Sequence, residues 1–316
     1  MKRVAITGIS GHLGSKLQQR LEQEPEVERI IGIDLLQPRH TTPKLKFYRQ
    51  DIREPFGDIF VENDVDSAIH LAFVLVPGHN TEKSRQVNLG GTKNFLRACH
   101  KGPVKWLLFL SSNTAYGGHA DNPVPITEDR ELRPDPNWTY AWHKAECEQM
   151  FKEFKEDHPD KQVAIIRSCA VLGPNGVGTG IKEMFTPVAM VRCVGHDALW
   201  QFIHEDDWVE LTLALLRQKP EGVFNVAGEG HIRYTEIASA LGRRVLPLPG
   251  SLLKAGLVLS WDLRLQSKSP VGGLNFLKYP LVMSTEKIQK TTGYKCRYTS
   301  HQALDVYNSK SASASA

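Results

Sequence analysis

Eight residues near the start, Thr7-Gly8-Ile9-Ser10-Gly11-His12-Leu13-Gly14, constrain this chain more than any other stretch. They come after the short apolar run Val4-Ala5-Ile6 and precede a helical pattern expected from Ser15 onward. Gly8 permits a tight exit from a strand, Gly11 lets backbone approach a phosphate, and Gly14 lets helix and sheet pack closely. The helix N-terminus then offers N–H groups and the positive end of its dipole to a pyrophosphate. The spacing is G-x-x-G-x-x-G, one residue longer between the first two glycines than G-x-G-x-x-G. A glycine turn without a ligand has the same appearance, so a cofactor role needs support from residues further along the chain.

Short β-rich runs alternate with helical patterns over the next part of the chain, at 4–6, 30–33, 45–48, 68–71, 106–110 and 163–167. Near-continuous apolar runs of this kind suit strands buried on both faces of a parallel sheet. The alternation predicts an α/β fold, a doubly wound Rossmann-type parallel sheet with a smaller C-terminal substrate-binding lobe. The expected division gives residues 1–170 to the dinucleotide-binding domain, with 198–228 rejoining it through a strand at 223–226. Residues 171–197 and 229–308 form the lobe, and the low-complexity end at 309–316 is expected to be disordered.

Composition narrows the setting. A net charge of +4 is small and its lysines and arginines alternate with acids, which excludes a nucleic-acid-binding surface as the main role. The five cysteines, Cys99, Cys147, Cys169, Cys193 and Cys296, show no C-x-x-C spacing, so neither a disulfide framework nor a metal site is expected. Residues 4–6 are too short for an export signal, and 252–261 is too short to cross a membrane and contains Lys254. The reading is a protein of a reducing compartment, cytoplasmic, with no membrane partner.

Asp34 gives the glycine turn its meaning. It ends the second expected strand, where an acid hydrogen-bonds the adenosine ribose hydroxyls of a dinucleotide. A carboxylate there repels a 2′-phosphate, which favours NAD over NADP. Asp51-Ile52, after the third strand, is placed to frame the adenine, the carboxylate taking the exocyclic amine and Ile52 packing on the ring.

Tyr140 and Lys144 lie four apart, on one face of an expected helix that begins after Pro134, Pro136 and Asn137. A free phenol has a pKa of about 10 and is a poor base near neutrality. An ammonium one helical turn away favours phenolate, so the pair is expected to exchange a proton with a hydroxyl or carbonyl. Lys144 has a second expected task on the nicotinamide ribose. The fifth strand ends Leu110-Ser111-Ser112-Asn113-Thr114, at the ligand edge of the sheet. Ser112 is the expected partner of the reacting oxygen, with Ser111 and Thr114 as competing choices.

Taken together, these residues resemble the extended short-chain dehydrogenase/reductase family, of the NAD-dependent epimerase/dehydratase type. The resemblance runs over 2–307 and rests on TGISGHLG at 7–14, Asp34, DI at 51–52, HLAF at 70–73, VNLGGTKNFLRAC at 87–99, LSSNTAYG at 110–117 and YAWHK at 140–144. AIIRSCAVLGP at 164–174, QFIHEDD at 201–207 and GVFNVAG at 222–228 match more loosely. The resemblance implies a tightly held NAD and a Ser112/Tyr140/Lys144 triad. It implies a cofactor wall from Gly8, Gly11, His12, Leu13, Gly14, Asp34, Asp51 and Ile52, continued by Leu71, Ala72 and Phe73. It further implies that Asn88 holds the strand ends and an active-site water, and that the helices near Asn88 and Tyr140 pair in a homodimer.

Two departures bear on the substrate. The nucleotide-sugar epimerase pattern has an asparagine in an R-x-x-N stretch, where Arg167-Ser168-Cys169-Ala170 supplies alanine. It also has an arginine shortly before the I-H-x-x-D segment, where this chain reads Leu199-Trp200-Gln201-Phe202-Ile203-His204. One lost charge-assisted phosphate contact is worth roughly 1.5–3 kcal/mol. Arg192 is a possible substitute, and Trp200, Phe185, Met184 and Met190 give the lobe an apolar set. The leading expectation is therefore an NAD-dependent oxidoreductase acting on an alcohol or ketone. A nucleotide-sugar 4-epimerase is the runner-up, and a non-catalytic NAD-binding protein is the third possibility.

Overall fold

The computed structural model describes residues 2–76, 78–174, 185, 189–266 and 271–313. Seven of its strands are β1 (Arg3–Thr7), β2 (Arg29–Asp34), β3 (Leu45–Arg49), β4 (Ser67–His70), β5 (Trp106–Ser112), β6 (Gln162–Ser168) and β11 (Gly222–Val226). They form one parallel sheet in the order β11-β6-β5-β4-β1-β2-β3. The chain winds outward from β1 in both directions, so the order reverses between β1 and β4. Ligands bind doubly wound sheets beyond the carboxyl ends of the strands at such a reversal.

Helices α1 (His12–Glu22) and α6 (Glu205–Gln218) cover one face. Leu17 and Leu21 of α1 and Trp208 of α6 are fully buried there with Ile6 and Trp106. Helices α2 (Gly57–Glu62), α4 (Gly91–Lys101) and α5 (Thr139–Asp157) cover the other, with the short α3 (Thr81–Arg85) leading into α4. On α4, Thr92, Phe95, Leu96 and Cys99 recur at the helical period and are buried. Phe95 packs against Phe60 and Phe151, and Phe151 stacks on Phe109 of β5. Burying each such ring stabilises the fold by about 1.5–3 kcal/mol. Trp142, on the outer side of α5, is exposed.

The lobe is built from three two-stranded pairings. β7 (Ala170–Leu172) pairs with β10 (Phe202–His204), β9 (Leu199–Trp200) with β12 (Ile232–Arg233), and β8 (Ala189–Cys193) with β13 (Arg244–Leu248). Its core gathers Met190, Phe202, Ile232, Ile237 and Leu304, with α7 (Tyr234–Ala240) and α10 (Ser300–Ser313) packed on it. Residues 198–228 therefore divide. Their strands β9 and β10 belong to the lobe, because the apolar dipeptides there pair with β12 and β7. Only α6 and β11 return to the main domain, where α9 (Glu286–Thr292) packs on β11.

Helix α10 runs to Ser313, and the Ser309 hydroxyl donates to the Val306 carbonyl at 2.9 Å. Ala303 and Leu304 dock its first turn, and extending an existing helix through alanine and lysine is cheap once that nucleus is fixed. Residues 314–316 lie outside the described part. The apolar stretch 252–261 lies in α8 (Gly250–Asp262), and no helix among the described residues is long and apolar enough to cross a membrane.

Candidate functional site

The glycine turn sits at the reversal of strand order. Gly8 adopts φ +77°, and a Cβ there would stand 2.7 Å from the Ala72 nitrogen. A Cβ on Gly14 would stand 2.3 Å from the Gly8 carbonyl oxygen. Both positions therefore exclude a side chain. Helix α1 starts at His12, earlier than the expected Ser15, because the Ser15 N–H already closes onto the Gly11 carbonyl at 2.9 Å. Its N-cap, Gly11, adds no side-chain cap, and the first turn carries no acid. An uncapped, acid-free helix start beside a cavity suits a pyrophosphate. Asp34 closes β2 and accepts from the Ser10 N–H at 3.0 Å and the Leu36 N–H at 3.1 Å. These bonds fix its carboxylate next to the turn while leaving lone pairs for ribose hydroxyls.

A buried charge cluster braces this turn. Glu205, fully buried at the start of α6, lies 2.8 Å from His12 Nε2 and 2.7 Å from Lys16 Nζ. Burial works against the Lys16 charge, but Glu205 and Asp206 together raise its pKa. A Cβ on Gly173 would stand 2.3 Å from the Glu205 carboxyl carbon, so the turn after β7 must be glycine for the acid to fit. Reading the sequence did not single out Glu205. Its only signal was its place after the Ile203-His204 segment.

Ser112, Tyr140 and Lys144 meet at the adjoining strand end. Ser112 is the last residue of β5, and Tyr140 the second of α5. The Tyr140 phenol and the Ser112 hydroxyl both line the cavity, close enough for Ser112 to oppose the effect of burial on the phenol. The Ser112 oxygen accepts from the Thr114 N–H at 3.2 Å and its hydroxyl at 2.9 Å. Ser111, which also borders the cavity, donates to Glu148 of α5. Of the three hydroxyls, Ser111 is engaged by Glu148, while Thr114 donates to Ser112.

Lys144 donates to the Leu110 carbonyl and lies 3.6 Å from the centre of the Phe73 ring, which is edge-on to Tyr140. Burial depresses its pKa to about 7, opposed by Cys147 and Glu148. Burial also raises the Tyr140 pKa, opposed by Ser112, so that desolvation disfavours the charged form of both side chains.

Asn88, fully buried in the π-helical turn Gln86–Gly90, clamps the loop after β4. Its side chain accepts from the Val74 N–H at 2.7 Å, donates to the Val74 carbonyl at 3.2 Å, and meets His143 Nδ1 at 3.2 Å. Beneath it, His70 bridges Thr7 and Thr92 at 2.7 and 3.1 Å. Burial, with the charge of Lys144, lowers the His70 pKa to about 3. The folded state then binds fewer protons than the unfolded chain between pH ~3 and ~6.5, so stability falls as pH drops through that window. Urea unfolding at pH 7 and pH 5 should show a smaller acid loss in His70→Gln than in wild type. An unchanged difference would mean that His70 makes no contribution to the acid sensitivity.

These elements wall one continuous cavity of about 850 Å³. Of the expected residues, Gly8, Gly11, His12, Leu13, Gly14, Asp34, Leu71, Phe73, Ser112, Tyr140 and Lys144 line it. The other four do not border it. Ala72 packs its backbone on Gly8, and Asn88 braces Val74. Ile52 is buried against Gly91 of α4, and Asp51 is held by Arg53 at 2.6 Å, which keeps its carboxyl below the usual range. Ala170, Met190 and Trp200 line the cavity. Phe185 is in the lobe core, and Met184 lies outside the described residues. Arg192 is off the wall and donates to the His196 carbonyl at 2.7 Å.

Residues 4–227 match the NAD dependent epimerase/dehydratase family. The chain belongs to that family. An uncharacterized protein of Mycobacterium tuberculosis is 26% identical over 97% of this chain and 83% of its own length. Human short-chain dehydrogenase/reductase family 42E member 1 is 29% identical over 66% of this chain and 56% of its own. Among solved structures, the UDP-glucuronic acid 4-epimerase of Bacillus cereus in complex with NAD superposes with a TM-score of 0.75 at 18% identity, covering 99% of both chains. NAD is the cofactor of this epimerase/dehydratase-family chain, and the glycine turn and Asp34 fit it.

Proposed function

We propose that the chain is an NAD-dependent oxidoreductase that interconverts an alcohol and a ketone, with Tyr140 as the proton-transfer group. The observation that carries the reading is the meeting of Ser112, Tyr140 and the buried Lys144 on one cavity wall at the end of β5. When bound, NAD accepts or returns the hydride. The turn from Gly8 to Gly14 would hold the pyrophosphate, and Asp34 the adenosine ribose. Ser112 would hold the substrate oxygen within reach of the Tyr140 hydroxyl, which takes the alcohol proton or gives one to the ketone. Lys144 would bind the nicotinamide ribose, and Phe73 and the Leu110 carbonyl fix its position.

Incubation with NAD and a secondary alcohol should accumulate NADH. The second reading, a nucleotide-sugar 4-epimerase, is favoured by the relatives' chemistry, since the Bacillus cereus neighbour is a UDP-glucuronic acid 4-epimerase. Formation of a sugar epimer without NADH accumulation would establish it instead. Against it stand Ala170 on the cavity wall and Arg192 off it.

Cofactor choice has a separate test. Asp34→Ala should weaken NAD binding about 10–150-fold, in line with the loss of charged hydrogen bonds worth roughly 1.5–3 kcal/mol. It should also narrow the discrimination against NADP. A wild-type preference for NADP, measured by titration of both cofactors, would mean that the Asp34 carboxylate is not at the ribose.

A further inference from the structure

The cavity extends well past the hydride-transfer end, and its far part differs in chemistry from the near part. Among the described residues of the wall, the charged or titratable groups are Asp34, His12, Lys144, Cys169 and the phenols. Asp34 is bound to Ser10, His12 to Glu205, and Lys144 lies over Phe73. These three sit at the cofactor end, and burial pushes the Cys169 thiol up, which keeps it uncharged. The far wall is made of Met190, Trp200, Leu253, Leu257 and Leu274, supplied by β8, β9, α8 and the 3₁₀ turn Val271–Leu277.

The polar groups there are Gln201, the Tyr234 and Tyr279 phenols and the Trp200 indole N–H, none of them a cation, and Gln201 is already committed. Gln201 accepts from the Met283 N–H at 2.7 Å and donates to the Met283 carbonyl at 3.2 Å. A phosphate brought against this wall would lose its hydration and meet no described cation, which is costly. A hydrocarbon placed there gains with every group removed from water.

We infer that the far cavity takes an uncharged, largely hydrocarbon body, so that the substrate is an apolar alcohol or ketone. Its oxygen lies at Ser112 and Tyr140, and its chain runs along Met190, Trp200 and Leu257. The inference rests on the oxidoreductase reading for the position of the oxygen, and on the wall alone for the body.

The test is a binding series of 2-alkanols, from 2-butanol to 2-octanol, titrated into the full-length NAD-loaded protein by calorimetry, with UDP-glucose as the contrasting ligand. The Kd should fall about fourfold per added methylene, and UDP-glucose should not bind below millimolar concentration. A flat series, or submillimolar UDP-glucose binding, overturns the inference. Leu257→Glu should flatten the series while NAD affinity and melting temperature stay near wild type, and Leu257→Met should keep it steep. A Leu257→Glu protein that binds NAD and retains the full slope also overturns it. A steep series without NADH formation from any member would refute the hydride-transfer reading while supporting the apolar site. NADH formation with a flat series would do the reverse.

Discussion

Tyr140→Phe should lower kcat by about 10²–10⁴-fold and leave the dissociation constant for NAD near its wild-type value. The substitution removes one oxygen, which lies beside Ser112 on the cavity wall, and keeps the ring that packs edge-on against Phe73. No other titratable group on the described wall stands in the same relation to Ser112. Burial raises the Tyr140 pKa, so the phenol is held protonated near neutrality and is better suited to donate a proton to a ketone than to accept one. Ketone reduction should therefore depend on Tyr140 at pH 7, and alcohol oxidation should accelerate as pH rises. Stopped-flow measurement of NADH at both pH values, with NAD affinity determined separately, checks both statements. A variant that retains more than about a tenth of wild-type kcat would take the proton-transfer role from Tyr140.

The parts of this site that were legible in the sequence are those set by local backbone. The turn at Gly8 and Gly14 is dictated by positions where a side chain meets backbone within 3 Å. Tyr140 and Lys144 share a face because helix geometry places residues four apart together. Ser112 was legible only up to a choice among neighbours. Ser111 is taken up by Glu148 of α5, and only the packing of that helix on β5 shows which neighbour is engaged. Long-range pairs were out of reach. Glu205 meets His12 and Lys16 only because α6 lies against α1 on one face of the sheet. The division of 198–228 between lobe and main domain was equally hidden, because two- and three-residue strands carry too little pattern to reveal their partners.

The largest effect on stability is expected from a pair that takes no part in hydride transfer. Arg167 of β6 and Glu148 of α5 are buried, with Nη2 and Oε2 2.8 Å apart. Around them, Ser111 donates to Glu148, while Arg167 Nη1 donates to the Tyr116 hydroxyl at 2.8 Å and the Glu128 carbonyl at 3.0 Å. Burial works against the guanidinium charge, but Glu148 and Tyr116 hold its pKa above the ordinary arginine value. Arg167→Leu leaves the carboxylate in a dry site without its partner, and should cost about 3–5 kcal/mol in urea denaturation at pH 7. The double variant Glu148→Leu/Arg167→Leu should recover much of that loss, because desolvating the pair offsets most of its attraction. A single variant that loses less than about 1 kcal/mol would mean that water reaches Glu148. Because Ser111 precedes Ser112 on the same strand, the single variant should also shift the end of β5 and reduce kcat more than it changes NAD affinity. The double variant separates the two consequences: stability returns with the removal of the stranded charge, while the lost Ser111 bond keeps kcat low.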